Sequence, residues 1–169
     1  NPQTATAYFL PNTYEVYWTL SPEALMSRMR DEFYRFWTDE RLRKAREMNL
    51  TPVEVVTLAS IVEKETVKPD EKKEVAGLYY NRIRKGMKLQ SDPTVIYAIN
   101  MDHPTRTIQR VYYKDLAYSS PYNTYQNPGL PPGPIKIPAL SSIDAVLNYA
   151  HHDYIFMVAD PERPGYHSF

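Results

Sequence analysis

The stretch that decides the fold is "TPVEVVTLASIVEKE", residues 51–65. Thr51 followed by Pro52 is a strong helix start, because a threonine side chain caps free N–H groups and proline fits the first turn. Glu54 stands three residues after the cap, at the capping-box position. The pattern therefore predicts a helix that begins here and runs to about Thr66.

This helix ends in two glutamates that point in different directions. At about 100° per residue, Glu65 falls on one flank of the apolar face, next to Leu58 and Ile61. Glu63 falls on the other flank, next to Val56. The two carboxyls diverge by about 200°, so they cannot both flank one scissile bond. A glycosidase that uses this pair as its two carboxylates is therefore geometrically poor.

The residues alone leave two interpretations of these glutamates open. One of them is a lone acid or base, because a carboxyl that is partly removed from water by apolar neighbours has a raised pKa and can donate a proton near neutrality. Alternatively, both are ordinary helix charges that pair with Lys64, Lys68 or Lys72. Local sequence does not decide between them.

Composition excludes several classes of function. The 169 residues suffice for one domain, and 20 Lys+Arg balance 20 Asp+Glu, so bulk charge does not indicate a nucleic-acid partner. The absence of cysteine removes disulfides, thiolate metal ligands and a cysteine nucleophile. No apolar run approaches the length of a membrane span.

Cofactor and metal motifs are also missing from the sequence. No glycine-rich phosphate loop and no serine elbow of the G-x-S-x-G type occur. His151 and His152 are adjacent, without the i,i+4 spacing of a helical zinc pair. We therefore predict no cofactor and no metal, and a carboxyl group remains as the plausible catalyst.

The rest of the chain predicts a mainly helical domain. Caps, prolines and apolar spacing indicate helices over about 22–48, about 70–85, from 91 or 92 onward, and from a capped start at 141–144 to about 149. Residues 1–20 are expected to be irregular or extended, and 101–138 mostly loop. The segment "DYIFMVAD" at 153–160 is typical of a buried strand.

Several motifs together resemble one known family. They are "ASIVEKET" (59–66), "NRIRKGMKLQSDPTVIYAI" (81–99), "YNTY" (122–125) and "GLPPGPIKIP" (129–138). With "FLPNTYEV" near the start, they look like the catalytic domain of the endolytic murein transglycosylase family, in the same order and over nearly the whole chain.

The resemblance implies a fold and a location. The fold class would be α+β, mainly helical, a lysozyme-like catalytic domain with small β elements, and 1–169 would be a single catalytic domain. The family's N-terminal membrane helix and LysM-like domain are not in this sequence, and the family continues past "HSF" to a further His-Asn pair, so we expect a fragment. The full-length protein would be anchored on the extracytoplasmic side of the bacterial cytoplasmic membrane.

The resemblance also implies an activity and a site. The enzyme would be a lytic transglycosylase that cuts the β-1,4 bond between N-acetylmuramic acid and N-acetylglucosamine in nascent peptidoglycan strands and leaves 1,6-anhydro ends. The second glutamate of "EKET", Glu65, would act first as acid and then as base, with Glu63 a supporting or surface charge. The expected substrate-binding residues are Gln90, Ser91, Asp92, Asn123 and Tyr125.

The partners implied by the resemblance are peptidoglycan glycan strands and peptidoglycan synthases at the membrane. Two other functions stay open. The same glutamate would serve a muramidase-type hydrolase that activates water, and the domain would also suit a non-catalytic peptidoglycan-binding or scaffold role.

Overall fold

The computed structural model describes residues 2–105 and 107–169. Its helices are α1 (Pro2–Ala5), α2 (Pro22–Phe36), α3 (Asp39–Glu47), α4 (Pro52–Glu65), α5 (Lys72–Arg84), α6 (Asp92–Asp102) and α7 (Leu140–Leu147). Short 3₁₀ turns cover Thr6–Tyr8 and Tyr113–Ala117, and strands β1 (Val158–Ala159) and β2 (His167–Ser168) form an antiparallel pair. The α+β, mainly helical class is therefore confirmed.

Helix α4 is the centre of the domain. Its predicted capping box is present, since Thr51 accepts a hydrogen bond from the Glu54 N–H while the Glu54 carboxylate accepts one from the Thr51 N–H. Every residue from 55 to 62 is buried, as expected for a helix with little polar surface along its length. Helices α5 and α7 pack against it. Each fully buried Leu or Ile there contributes about 1.5–3 kcal/mol.

The helix predicted over about 22–48 is in fact two helices. Helix α2 ends at Phe36, and Thr38 caps α3 by accepting a hydrogen bond from the Arg41 N–H. Asp39 and Glu40 then occupy the first turn of α3, where carboxylates favour the positive helix end. Buried Trp37 lies at the corner, so the break lets both helices pack their apolar faces on the core.

The sequence predicts a serine cap for helix α7, but the structure has Ala139 at the N-cap position. The Glu63 carboxylate of α4 replaces the missing side-chain cap. Its Oε2 accepts hydrogen bonds from the Ala139 N–H at 2.6 Å and the Ser142 hydroxyl at 2.8 Å. A helix start capped from another helix cannot be recognised from local sequence.

The buried strand predicted at 153–160 is wrong. Only Val158–Ala159 is a strand, and both residues are exposed. Side chains of α5 take the place of a neighbouring strand, because the Asn81 amide donates to the carbonyls of His152 and Tyr154 and the Arg82 Nε donates to that of Ile155. Extended backbone is thus satisfied without a sheet.

The loop prediction for 101–138 is confirmed apart from residues 101 and 102, which end α6, and the 3₁₀ turn at Tyr113–Ala117; residue 106 lies outside the described residues. The expectation for 1–20 holds from residue 9 onward, whereas α1 and a 3₁₀ turn precede it. Within the described part of the chain, no helix is both long and apolar enough to cross a membrane.

Candidate active site

A cleft of about 240 Å³ opens at the carboxyl end of α4. Helix α5, the start of α6 and the β1–β2 hairpin form its walls. The lining is mostly polar: Glu65, Leu78, Tyr79, Arg82, Gln90, Asp92, Tyr125, Met157, Val158, Ala159 and His167.

Glu65 is the last residue of α4 and is held at one of its two carboxyl oxygens. Oε1 accepts a hydrogen bond from the Tyr79 hydroxyl at 2.7 Å and another from the Ser91 hydroxyl at 2.5 Å. Among the described residues, none forms a hydrogen bond with Oε2. The carboxyl is therefore oriented by two donors and keeps one oxygen for a bound molecule.

The surroundings of Glu65 favour its protonated form. Burial raises the pKa of the carboxyl, and the nearby Asp92 carboxylate raises it further, while the hydrogen bonds from Ser91 and Tyr79 offset only part of this effect. The carboxyl end of a helix carries partial negative charge, which also disfavours a carboxylate there. A carboxyl with a raised pKa is suited to proton donation near neutrality.

Gln90 reaches the cleft from a strained backbone position. Its φ is 53°, in the left-handed region that L residues other than glycine, asparagine and aspartate rarely adopt. The Gln90 N–H donates to the Thr124 carbonyl at 3.1 Å, and the Ser91 N–H donates to the Thr124 hydroxyl at 3.0 Å. The "YNTY" loop therefore fixes the backbone that presents Gln90 and Asp92 to the cleft. Ser91, expected to bind substrate, is instead buried and turned toward Glu65.

Asp92 and Tyr125 form a pair across the cleft floor. The Tyr125 hydroxyl donates to Asp92 Oδ1 at 2.6 Å. Burial and this bond raise the pKa of Tyr125. The pair therefore offers a sugar both a carboxylate oxygen and a tyrosine ring face.

The structure does not place Asn123 in the cleft. This residue is completely buried, and its side-chain amide donates to the carbonyls of Leu116 and Tyr118. Its Oδ1 accepts a hydrogen bond from the Tyr125 N–H at 2.9 Å. The expected substrate contact is therefore replaced by an indirect role, the positioning of Tyr125.

The alternative reading, that both glutamates pair with nearby lysines, also fails in the structure. Glu63 forms an ion pair with Lys136 on the far side of α4, and Glu65 has no lysine partner among the described residues. Burial pushes the pKa of Glu63 up, but the bonds from Lys136, Ala139 and Ser142 outweigh it and lower the pKa. The pKa values of these two glutamates, which lie within one helical turn, are thus shifted in opposite directions.

Sequence reasoning missed four residues around Glu65. Tyr79 belongs to the apolar pattern of α5, and its spacing gives no sign that its hydroxyl reaches Glu65. Arg82 is buried and donates to the carbonyls of Ile155 and Leu89, so it joins two walls of the cleft. His167 lines the cleft, paired with the buried Glu71. Only folding brings these residues together.

A larger cavity of about 720 Å³ is lined by residues between positions 15 and 31 and shares no lining residue with this cleft. It contains the carboxyls of Glu15 and Asp31, and neither forms a hydrogen bond with another described residue. The cleft at Glu65 is smaller, but its carboxyl is oriented and has a shifted pKa. We therefore take the smaller cleft as the candidate site.

An oriented carboxyl with a raised pKa and one free oxygen, set in an open polar cleft, defines a candidate acid–base site. The chain belongs to the YceG-like family, whose model matches residues 2–169.

Relatives and a solved structure agree with this assignment. An endolytic murein transglycosylase of Bacillus subtilis is 43% identical over 105 residues, which is 62% of this chain. One of Streptococcus pneumoniae is 34% identical over 157 residues, or 90% of this chain. The matched part is 28% of each relative, so the chain spans little more than a quarter of their length.

The crystal structure of a YceG-like protein from Listeria monocytogenes superposes with a TM-score of 0.79 at 35% identity. The match covers 96% of this chain and 52% of that one. The arrangement of the helices is therefore common to both proteins.

Proposed function

We propose that this domain is an endolytic peptidoglycan lytic transglycosylase with Glu65 as its single acid–base residue. The observation that carries the proposal is the Glu65 carboxyl itself. Its Oε1 is held by Tyr79 and Ser91, its pKa is raised, and its Oε2 is free of described partners at an open cleft. The names of the relatives from Bacillus subtilis and Streptococcus pneumoniae supply the substrate class and the reaction type.

The geometry suits a reaction in which one carboxyl works twice. Protonated Glu65 donates its proton to the glycosidic oxygen, and the bond from that oxygen to the anomeric carbon of muramic acid breaks. The 6-hydroxyl of the same muramic acid then attacks that carbon, and the Glu65 carboxylate takes the hydroxyl proton. The ring closes as a 1,6-anhydro end, water is not consumed, and the enzyme recovers its proton.

Tyr79 and Ser91 help in the middle of this cycle. When Glu65 has given up its proton, the negative charge lies on a partly buried carboxylate that both hydroxyls stabilise through Oε1. Hydrogen bonds to a charged group contribute about 1.5–3 kcal/mol each. They keep Glu65 acidic enough to donate, while burial keeps it basic enough to accept.

The remaining site residues have distinct proposed roles. Gln90 presents its amide to the glycan, and Asp92 with Tyr125 forms a sugar-binding surface. Ser91 holds Glu65, and Asn123 positions Tyr125. A substrate atom has room beside each of the first three, because all of them line the cleft.

The wider setting follows from the resemblance to the family. We propose a lysozyme-like catalytic fold within one domain. We also propose that the longer protein acts on nascent strands, beside peptidoglycan synthases, at the extracytoplasmic face of the cytoplasmic membrane.

The test is cleavage of purified glycan strands by the wild type, Glu65→Gln and Glu63→Gln. Loss of a general acid–base group costs about 10²–10⁴-fold in rate, and we expect this loss for Glu65→Gln alone. Glu63→Gln is the matched control on the same helix, and its rate per folded molecule should change little. Full activity of Glu65→Gln would refute the assignment.

The same assay separates the other two functions. A muramidase-type hydrolase would need Glu65 but would release reducing ends. A non-catalytic binding or scaffold domain would leave the strands uncut, with binding that is indifferent to Glu65.

A further inference from the structure

A second polar pair faces the same cleft and has no part in the mechanism above. His167 lines the cleft from β2. Behind it lies Glu71, just before α5, with only 4% of its side chain exposed against 18% for His167. A buried carboxylate behind a histidine at a cleft is an arrangement that orients the ring.

The two residues meet at two points. The His167 backbone N–H donates to Glu71 Oε1 at 2.5 Å, and the ring Nδ1 lies 3.0 Å from Glu71 Oε2. Oε1 holds the backbone and Oε2 holds Nδ1, so the contact with Glu71 orients the imidazole. Nε2 is then the ring nitrogen available to the cleft, and it bonds no other described residue.

The charge on Glu71 decides the tautomer. Burial alone would raise the pKa of Glu71, but hydrogen bonds from Thr66 and from His167 outweigh it and lower the pKa. Glu71 is therefore ionised near neutrality and can only accept hydrogen bonds, so Nδ1 carries the proton of this contact. In that tautomer of the imidazole, Nε2 has a lone pair and acts as an acceptor.

A purely structural role does not need this ring. The His167 backbone N–H already ties the hairpin to Glu71. The neighbouring Tyr166 hydroxyl ties it to Asp70, and the strand pairing with Ala159 holds it as well. The side chain adds an oriented acceptor at the cleft surface.

We propose that His167 is a glycan-contacting residue whose Nε2 accepts a hydrogen bond from a sugar hydroxyl bound beside Glu65, and that Glu71 is the residue that positions it. This inference rests on the proposed function, since the ligand is the glycan strand. A hydroxyl fits because it donates, whereas an N-acetyl carbonyl would meet the Nε2 lone pair with another acceptor.

The test measures binding without cleavage. In the Glu65→Gln background, calorimetric titration with peptide-free peptidoglycan oligosaccharides compares that protein with its His167→Asn and His167→Gln derivatives. Asparagine keeps a donor near Glu71 but lacks any atom at Nε2, so we expect binding about tenfold weaker. Glutamine is longer and can bring its carbonyl oxygen near the Nε2 position, so it should restore part of the loss.

Glu71→Gln provides the readout that a merely structural role would not move. The amide no longer forces the proton onto Nδ1, so binding should weaken. Binding by the Glu71→Gln, His167→Asn double variant should be no weaker than binding by His167→Asn alone, because both substitutions remove the same interaction. Circular dichroism serves as the control that each variant is folded.

The inference is overturned if folded His167→Asn binds as tightly as its parent, if glutamine restores nothing, or if the two losses simply add. It is also overturned if the Glu65→Gln parent does not bind the oligosaccharides. Failure of the proposed function is a separate result, since it appears as wild-type protein that leaves glycan strands uncut.

Discussion

Glu63 and Glu65 stand two positions apart on α4 and should respond in opposite ways when each is made neutral. Glu63→Gln turns a hydrogen-bonded carboxylate into an amide at the start of α7. Glu65→Gln removes an ionisable group that burial disfavours when charged. Both substitutions keep the shape of the side chain, so the difference between them reports electrostatics.

The magnitude for Glu63→Gln follows from its contacts. The remaining amide oxygen can keep the bonds to the Ala139 N–H and the Ser142 hydroxyl, but each loses about 1 kcal/mol as the acceptor becomes neutral. The partly exposed ion pair with Lys136 adds about 0–1 kcal/mol. The total is a loss of about 2 kcal/mol, equivalent to about 4–8 °C in melting temperature for a chain of this size.

The pH dependence has opposite signs at the two positions. The folded pKa of Glu63 is lowered, so its contribution is complete above the unfolded value of about 4.3 and is lost as pH falls through the folded pKa. The folded pKa of Glu65 is raised. Its cost is therefore absent at low pH and grows as pH rises from the unfolded to the folded value.

Urea unfolding at a series of pH values tests both statements. Glu63→Gln should be less stable than wild type at neutral pH and approach it in acid. Glu65→Gln should match wild type in acid and become the more stable protein as pH rises. If both variants move in the same direction at neutral pH, the account of the two environments is refuted.

Three further predictions concern the walls of the cleft. Gln90→Gly relieves the strain of the left-handed backbone, which Gln90→Ala keeps, so the glycine variant should be about 1 kcal/mol more stable than the alanine variant in urea unfolding. Both variants lack the side-chain amide and should lose glycan cleavage equally. Unequal cleavage would show that backbone strain, and not the amide, matters for activity. Tyr79→Phe removes a hydrogen bond that lowers the pKa of Glu65. The alkaline limb of the plot of kcat/KM against pH should therefore move to higher pH. A limb that does not move would exclude Glu65 as the group that must be protonated. Gly77→Ala places a methyl group 2.3 Å from the Ala150 carbonyl oxygen. This clash should lower the free energy of unfolding by about 1–3 kcal/mol, measured by thermal unfolding. An unchanged melting temperature would argue against this close approach of α5 to the segment before the cleft wall.

The centre of the fold could be predicted because its signals are local. The capping box of Thr51 and Glu54 and the apolar run after it define α4. The divergence of Glu63 from Glu65 also follows from helical geometry alone. Such features depend on residues a few positions apart.

The failures share a physical reason, which is that the partners lie far apart in sequence. Glu63 caps α7 from another helix, and Arg82 satisfies an extended segment that looks like a strand. Tyr79 and His167 reach the cleft only after the helices pack. The break at Thr38 is the exception, since its cap and the acidic turn behind it are visible in the sequence.

The central claim is that Glu65 alone drives cleavage without water. Digestion of purified glycan strands in water that carries a heavy oxygen isotope, followed by mass spectrometry of the new ends, tests it most directly. The account predicts 1,6-anhydro ends that are one water lighter than reducing ends and contain no label, and no new ends with Glu65→Gln. Labelled reducing ends, or unlabelled anhydro ends from Glu65→Gln at the wild-type rate, would contradict it.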